Sequence, residues 1–344
     1  MKVANRFKAA ARILLRGEGE THRHSPIPAI AKDDLADLRR FFQRPKFFIF
    51  GHARSGTTLL MRLVRLHSEV HCDYQAHFFT RRPLLKSLVD TPEAEEWLSR
   101  KSNRWNHGGD LSGVVLRAAA EFIMERDAAR LGKRIVGDKS PSSAIHGQSV
   151  RDLHDLFPDA KLVYIVRDGR DVLISERFRN FVEDSRHLGP ADRQILKDLR
   201  EGPGSFGAGK RSIFTDNMLR RVATGWATNV TEVDSAARRL FGKSYLSLRY
   251  EDLLRDPIHE LQRVWKFLGV RRVPQTLVPR IQAEMRSNPD EEWQSRRNQD
   301  LAPFLAKGRS GNWRALLTAR DREIFREETR EVLRTWKYER SAEW

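Results

Sequence analysis

The stretch FFIFGHARSGTTLL (residues 47–60) joins an apolar run to a glycine turn and a run of hydroxyls. It follows the phosphate-binding pattern G-x-x-x-x-G-K-[ST] at Gly51, Gly56 and Thr58, except that Thr57 stands where the pattern has lysine. A strand, a glycine turn and a helix start present backbone N–H groups to one spot, and the helix dipole adds positive potential there. The loop therefore predicts a site for phosphate or sulfate.

Four side chains of this loop add donors to those of the backbone. Arg54 carries a guanidinium fork that matches a tetrahedral anion at two places, and Ser55, Thr57 and Thr58 carry hydroxyls. Because the lysine is absent, the loop lacks the cation that an ordinary nucleoside triphosphatase places on the terminal phosphates. We therefore expect an anion other than a nucleoside triphosphate.

A second candidate site follows a later apolar run in KLVYIVRDGRDVLIS. Arg167 comes where the predicted strand ends, and Ser175 comes eight residues later, two helical turns into the next segment. We expect both side chains to reach a second anion. The alternative is that Arg167 only pairs with Asp168 at the helix start, a surface ion pair worth under about 1 kcal/mol.

A third basic segment, AKGRSGNWRALLT, lies near the C-terminus. It places Lys307 and Gly308 in a glycine-containing loop before Trp313, which predicts a further phosphate-binding element. A solvated basic loop explains the same residues when the segment is taken alone.

Composition limits the class of protein. The 344 residues hold 63 Lys and Arg against 46 Asp and Glu, a formal net charge of +17. That charge favours polyanions, anionic membrane surfaces or phosphorylated small molecules as partners, and a solvated basic surface is the alternative. Cys72 is the only cysteine, so no intrachain disulfide forms and a reducing cytoplasm fits the composition.

Membrane contact is predicted only at the surface. No stretch approaches the roughly 20 apolar residues that span a bilayer, and no apolar run near the start resembles a cleavable signal. Residues 1–16 predict an amphipathic helix with Val3, Phe7, Ala10 and Leu14 on one face and basic side chains around the other. Such a helix suits an anionic membrane surface, or it packs on the domain through the same stripe.

Short apolar runs alternate with helical patterns, which predicts an α/β fold with a central parallel sheet between two helical layers. We expect a basic extension over residues 1–44 and a single domain over 45–344. The clearest predicted strands are Lys46–Phe50, Arg134–Val136, Lys161–Val166 and Tyr245–Arg249. Arg186–Asp216, with its EGPGSFGAGK stretch, predicts a mobile loop over the site, or a surface insertion.

These segments, in this order, resemble the sulfotransferases that use 3′-phosphoadenosine-5′-phosphosulfate (PAPS), from Lys46 to about Thr318. The resemblance implies that PAPS is the cosubstrate, that no metal is required, and that the loop from Arg54 to Thr58 holds the 5′-phosphosulfate. Arg in this loop looks closest to tyrosylprotein-type and bacterial members. It further implies that Arg167 and Ser175 hold the 3′-phosphate.

Two further segments resemble the same family. RYEDLLRDP (residues 249–257) matches a family segment whose tyrosine lies near the nucleotide, which makes Tyr250 a candidate. KGRSGNW, with Lys307 and Gly308, looks like the family loop that closes over the 3′-phosphate. Ala306 stands where many members have arginine, so we expect weaker closure here.

The chemistry that the resemblance implies is in-line transfer of a sulfuryl group to a hydroxyl or amine. Cations near the breaking bond do most of the work. Arg54 is one such cation, and the resemblance supports Lys139 in GDKSP as the other. A helix start at Ser140 and Pro141 is the alternative for that segment.

The general base is predicted less directly. In the resembling enzymes a glutamate follows the first helix, and Gln75 falls at that place here. We expect His77 to act instead, followed by Asp73, because a histidine near its ordinary pKa accepts a hydroxyl proton. His71, His107 and an acceptor acidic enough to need no base are the alternatives.

Two other functions fit part of this pattern. A P-loop kinase acting on a small molecule shares the sheet and the loop, and its dependence on magnesium separates it from a sulfotransferase. A module that binds polyanions through the +17 surface is the non-enzyme alternative, although stacking aromatics interleaved with the basic residues are absent and no specific nucleic-acid partner is expected. The acceptor is expected to be a small molecule, lipid or saccharide, and the sequence leaves the oligomeric state open.

Overall fold

The computed structural model describes residues 29–183, 188–271, 274–287, 301 and 310–339. Five strands within these ranges form one parallel sheet in the order β2-β3-β1-β4-β5. The strands are β1 (Lys46–Phe50), β2 (Val70–Tyr74), β3 (Ile135–Lys139), β4 (Lys161–Val166) and β5 (Tyr245–Arg249). The predicted α/β class with a central parallel sheet is confirmed.

Helices precede, separate and follow the strands. They are α1 (Lys32–Phe41), α2 (Thr57–Val64), α3 (Pro92–Ser99), α4 (Ser112–Arg130), α5 (Gly147–Leu156), α6 (Gly169–Glu183), α7 (Pro190–Glu201), α8 (Asp216–Phe241), α9 (Tyr250–Arg255), α10 (Pro257–Leu268), α11 (Leu277–Arg286), α12 (Trp313–Leu316) and α13 (Ala319–Thr335). None of those in the described ranges is long and apolar enough to cross a membrane.

The two faces of the sheet carry two apolar cores. Strand β1 is buried along its whole length, as a central parallel strand requires. Because successive side chains point to opposite faces, Phe48 packs in the core under α4, α5, α6 and α8, whereas Phe47 packs in the core under α2, α10 and α11. The protein is therefore built in three layers, helix on sheet on helix.

The order of the strands determines where a ligand fits. Strand β1 lies between β3 and β4, so the chain runs to one side of it first and to the other side later. In open parallel sheets this reversal leaves a crevice beyond the carboxyl ends of the strands. Arg54 in the loop after β1, Lys139 at the end of β3 and Arg167 directly after β4 meet at that edge.

Three predictions about the elements need correction or extension. Strand β3 was expected at Arg134–Val136, but it begins one residue later and runs to Lys139. Strand β2 was not predicted. The loop expected over Arg186–Asp216 is wrong for α7, which buries Leu196 and Leu199, and short 3₁₀ turns follow it at Pro203–Ser205 and Gly207–Gly209.

The predicted N-terminal extension is described only in part, and its division from the domain stays a prediction. The amphipathic helix expected at residues 1–16 lies outside the described residues. The backbone N–H of Ile30 donates to the carbonyl of Asp155 at 2.9 Å, and Arg39 pairs with Asp159 at 3.0 Å. Residues 29–41 therefore lie against the carboxyl end of α5 and the start of β4.

Candidate active site

The loop between β1 and α2 has the geometry that its glycines predict. Gly56 adopts a left-handed conformation with φ of 86°, and the ring of Tyr250 occupies the space that a Cβ at Gly56 would need. Helix α2 then begins at Thr57 without an acidic residue in its first turn and without a side-chain cap. Its first N–H groups are therefore available to an anion, and Tyr250 lies against the loop.

Ser55 gives independent evidence that the loop is built for a ligand. The side chain is buried, and Oγ has no hydrogen-bond partner among the described residues. A buried hydroxyl without a partner costs about 1–3 kcal/mol, which a ligand oxygen would offset. Its backbone N–H donates to the carbonyl of His52 at 3.1 Å, which closes the turn.

Arg54, Ser175 and Arg167 lie together. Nε of Arg54 donates to Oγ of Ser175 at 3.0 Å, and Nη1 of Arg167 donates to the carbonyl of Arg54 at 3.0 Å. Arg54 itself has φ of 68°, a strained conformation for a residue with a side chain. Residues of the two predicted anion sites are therefore in contact at one edge of the sheet.

The ion pair considered as the alternative for Arg167 is made by another residue. Asp168 pairs with Arg170, whose Nη2 lies 2.6 Å from Oδ2. The guanidinium of Arg167 instead lies over the ring of Tyr250, 4.9 Å from its centroid. Arg167 is nine-tenths buried, so its charge acts in a site with little water.

Lys139 is the last residue of β3 and its side chain is fully buried. Nζ donates to Oγ1 of Thr58 at 3.2 Å and lies 3.8 Å from the centroid of the Tyr74 ring. Burial lowers the pKa of Lys139 to about 8. The alternative for this segment, a helix start at Ser140 and Pro141, is wrong, because α5 begins only at Gly147.

His77 lies beside the same strand end. Its backbone N–H donates to Oγ of Ser140 at 2.8 Å, and its φ of 53° is again left-handed. Nδ1 is 2.8 Å from Oγ1 of Thr80. Partial burial lowers the pKa of His77 from its ordinary value of 6.5, and the charges of Arg81 and Lys139 lower it further. The imidazole is therefore held neutral near pH 7.

Asp73 is placed differently from His77. Its Oδ1 lies 2.9 Å from Nε2 of His71, two residues earlier on β2. Because strand side chains alternate, Asp73 points to the opposite face of the sheet from Tyr74, which contacts Lys139. The strand register pairs Asp73 with Asp138 and Tyr74 with Lys139, so Asp73 lies beside Asp138 and its carboxylate contacts His71.

The C-terminal basic segment is described from residue 310 onward, and Lys307 and Gly308 lie outside the described residues. The part that follows is fastened to α6. Oδ2 of Asp171 accepts from the N–H of Gly311 at 2.7 Å, and Oδ1 accepts from the N–H of Trp313 at 3.2 Å. Since Asp171 comes four residues after Arg167, the segment ends beside the predicted 3′-phosphate site.

The sulfotransferase family model matches residues 45–275, well over half of the chain. The chain belongs to the sulfotransferase family. It is similar to protein-tyrosine sulfotransferase A of Caenorhabditis elegans, with 26% identity over 230 residues that cover 66% of this chain and 50% of that protein. It is also similar to sulfotransferase 1 family member D1 of Rattus norvegicus, with 26% identity over 179 residues that cover 49% and 54%.

The chain spans about half the length of these two curated relatives. A mouse sulfotransferase solved in complex with PAP, the desulfated nucleotide, covers 90% of this chain and 94% of its own, at 17% identity and a TM-score of 0.47. The fold class of this sulfotransferase-family protein follows from its own sheet order, independently of that likeness.

Asp138 is a residue of this sulfotransferase-family site that the sequence did not single out. Oδ1 accepts from the N–H of Ala76 at 3.0 Å, and Oδ2 accepts from the hydroxyl of Ser140. Burial raises the pKa of Asp138 to about 6. Asp138 ties the segment that leads into His77 to the end of β3. The sequence could have indicated Asp138 through its place beside Lys139 in GDKSP, because a carboxylate next to a candidate catalytic cation can position the residues around it.

His52 and Glu176 are two further residues that the sequence did not single out. His52 is buried in the loop after β1, and burial lowers its pKa while the negative charge of Glu176 opposes that shift. Oε2 of Glu176 is buried without a hydrogen-bond partner among the described residues. His52 lies inside the first quoted motif and Glu176 directly follows the second, but only the fold shows that α6 brings Glu176 near the loop.

Proposed function

We propose that this protein is a PAPS-dependent sulfotransferase. The observation that carries the proposal is the contact of Arg54 with both Ser175 and Arg167, which joins the loop after β1 to the helix after β4. A nucleotide with a phosphosulfate at one end and a phosphate at the other needs cations at both loops. The family to which the chain belongs supports the same reaction.

The residues present fit such a nucleotide. The uncapped start of α2 and the partnerless hydroxyl of Ser55 are donors for the 5′ end, together with Gly56, Thr57 and Thr58. Arg167 and Ser175 are the donors for the 3′ end, and the ring of Tyr250 lies between the two groups. Lys307 and Gly308 would complete the 3′ side.

When bound, PAPS would supply the sulfuryl group for in-line transfer to a hydroxyl or amine. Arg54 and Lys139 would then stabilise the negative charge that develops on the departing oxygen. Lys139 carries that charge at neutral pH because its pKa of about 8 still lies above 7. His77, neutral at that pH, would accept the proton of the acceptor.

The wider setting follows from the same proposal. The acceptor is a small molecule, lipid or saccharide, although the similar protein of Caenorhabditis elegans is named for protein tyrosine. The reaction needs no metal. The protein works in the cytoplasm, and its basic residues 1–16 contact an anionic membrane surface peripherally.

The test is transfer of ³⁵S from labelled PAPS to a panel of hydroxyl and amine acceptors in excess EDTA. The proposal expects labelled product and stoichiometric PAP, and expects both to be lost in Arg54→Ala. Turnover of ATP that EDTA abolishes would favour a small-molecule kinase. Tight binding of heparin without nucleotide turnover, unchanged in Arg54→Ala, would favour a polyanion-binding module.

A further inference from the structure

A cavity of about 480 Å³ opens between α8 and the loop that connects β3 to α5. Ser143 and His146 line it from the loop, and Arg221, Gly225 and Thr228 line it from one face of α8. The volume lies within the roughly 300–1,000 Å³ of small-molecule sites. None of these residues belongs to the cosubstrate site described above.

The loop that lines the cavity is bonded to the active site. The N–H of Ser142 donates to the carbonyl of Gly51, the first residue of the phosphate loop, at 3.2 Å. Nearer β3, the hydroxyl of Ser140 accepts from the N–H of His77. Asn229 of α8 then donates from Nδ2 to the carbonyl of Ile145 at 2.6 Å, which fixes the opposite wall. The loop that lines the cavity is therefore held both to the phosphate loop and to the segment of the proposed base.

The polar groups of the cavity favour a negative charge. Arg221 is exposed, and within the described part of the chain no acidic side chain pairs with it. Its neighbour Arg220 is instead paired with Glu327 at 2.9 Å and Glu328 at 3.0 Å. The lining includes no Asp or Glu. Nδ1 of His146 accepts from the N–H of Gln148, which leaves Nε2 for a ligand.

The wall formed by α8 leaves room for the body of a ligand. A Cβ built at Gly225 meets no atom within 4 Å, so the absence of a side chain there widens the cavity. Glycine inside a helix costs about 1 kcal/mol relative to alanine, and no close packing offsets that cost here.

We propose that this cavity binds the acceptor, and that Arg221 selects acceptors that carry an anionic group beside the hydroxyl. This inference rests on the proposed function, because it names the acceptor class of the same transfer. The acceptor's body lies along Gly225, its anionic group contacts Arg221, and its hydroxyl points past the β3–α5 loop toward His77.

The test uses two phenols that differ in charge, 4-hydroxyphenylacetate and 4-methylphenol. Their dissociation constants are measured by saturation-transfer NMR on the full chain saturated with PAP, and transfer from PAPS is measured in parallel. The wild type is expected to bind the anionic phenol about 10-fold or more tightly, as for a charge-assisted hydrogen bond. Arg221→Ala is expected to remove that preference, and Arg220→Ala, the matched control, to keep it.

Gly225→Leu is a second variant that fills the cavity without opposing the helix, since leucine is a good helix former. It is expected to weaken the binding of both phenols at least 10-fold, while PAP still raises the melting temperature of the variant. Wild type that binds neither phenol or both equally, or Arg221→Ala that keeps the preference, would overturn the inference. Failure of PAP to stabilise the wild type would instead overturn the proposed function.

Discussion

Nζ of Lys139 donates to Oγ1 of Thr58 at 3.2 Å, so the end of β3 is joined to the first turn of α2. A cation at this place lies beside the anion site without being exposed to water. We expect Lys139→Met to lower the transfer rate by about 10²- to 10³-fold, as for the loss of one preorganised charge-stabilising group. Single-turnover transfer from labelled PAPS measures this, with the dissociation constant for PAP as the control for binding.

The lowered pKa of Lys139 predicts how both stability and the transfer rate change with pH. Burial lowers its pKa to about 8 from 10.5, so the unfolded chain binds more protons between these values and stability rises with pH there. Transfer that needs the cation falls over the first part of that range, as the pH rises through about 8. Lys139→Arg should move the fall in activity to higher pH. An unchanged profile would exclude Lys139 as the cation.

The raised pKa of Asp138 predicts that the stability of the folded protein changes at mildly acidic pH. Its pKa in the folded protein is about 6, above the ordinary value of 3.8. A raised pKa gives stability that is complete below the unfolded value and lost as the pH rises through the folded one. We therefore expect wild type to lose thermal stability relative to Asp138→Asn from about pH 4 to about pH 7. A constant difference in melting temperature between wild type and Asp138→Asn over that range would contradict a raised pKa of Asp138.

We predict that the affinity for the cosubstrate depends on the hydrogen bonds by which Asp171 anchors the C-terminal segment. Its carboxylate accepts from Gly311 and Trp313, and asparagine keeps only one accepting oxygen. We expect Asp171→Asn to weaken PAP binding by about 10-fold, measured by calorimetry. Asp198→Asn, on a carboxylate of α7 that accepts from Gln194 and Arg211, serves as the matched control. Equal affinities of all three proteins would show that the anchor does not matter.

One pair of variants tests whether His77 or Asp73 is the general base. We expect His77→Asn to lower the transfer rate by about 10²- to 10⁴-fold, the range for loss of a positioned base. Asp73→Asn should change it little, because that carboxylate is already engaged by His71. The wild-type rate should fall on the acid side, below the ordinary histidine pKa of 6.5. A larger loss in Asp73→Asn would reverse the assignment.

The elements that sequence predicted well are those with an unambiguous pattern. Strands β1 and β4 appear with the predicted bounds because central parallel strands are continuously apolar, and β5, at the edge of the sheet, also has its predicted bounds. Strand β2 was missed because VHCDY lies at the sheet edge and carries His71 and Asp73 at alternate positions. Helix α7 was missed because only Leu196 and Leu199 of its residues are buried.

The site was predictable as a set of motifs but not as an arrangement. Each motif predicts a cation or hydroxyl at a strand end, and the sheet order alone decides that Arg54 meets Ser175 across 121 residues of chain. The role of Asp171 depends on a segment 140 residues later, which no local pattern indicates. The assignment of the base to His77 in preference to Asp73 stays a prediction, which the pair of variants above tests.

The most direct test of the central claim is the melting temperature of the protein in EDTA with adenosine 3′,5′-bisphosphate, compared with ATP and magnesium. Ligand at 100 times its dissociation constant contributes about 2.7 kcal/mol, so we expect a rise of several degrees with the bisphosphate, much reduced in Arg167→Ala. A larger rise with ATP and magnesium, or a bisphosphate effect that is unchanged in Arg167→Ala, would contradict the assignment of this site to PAPS.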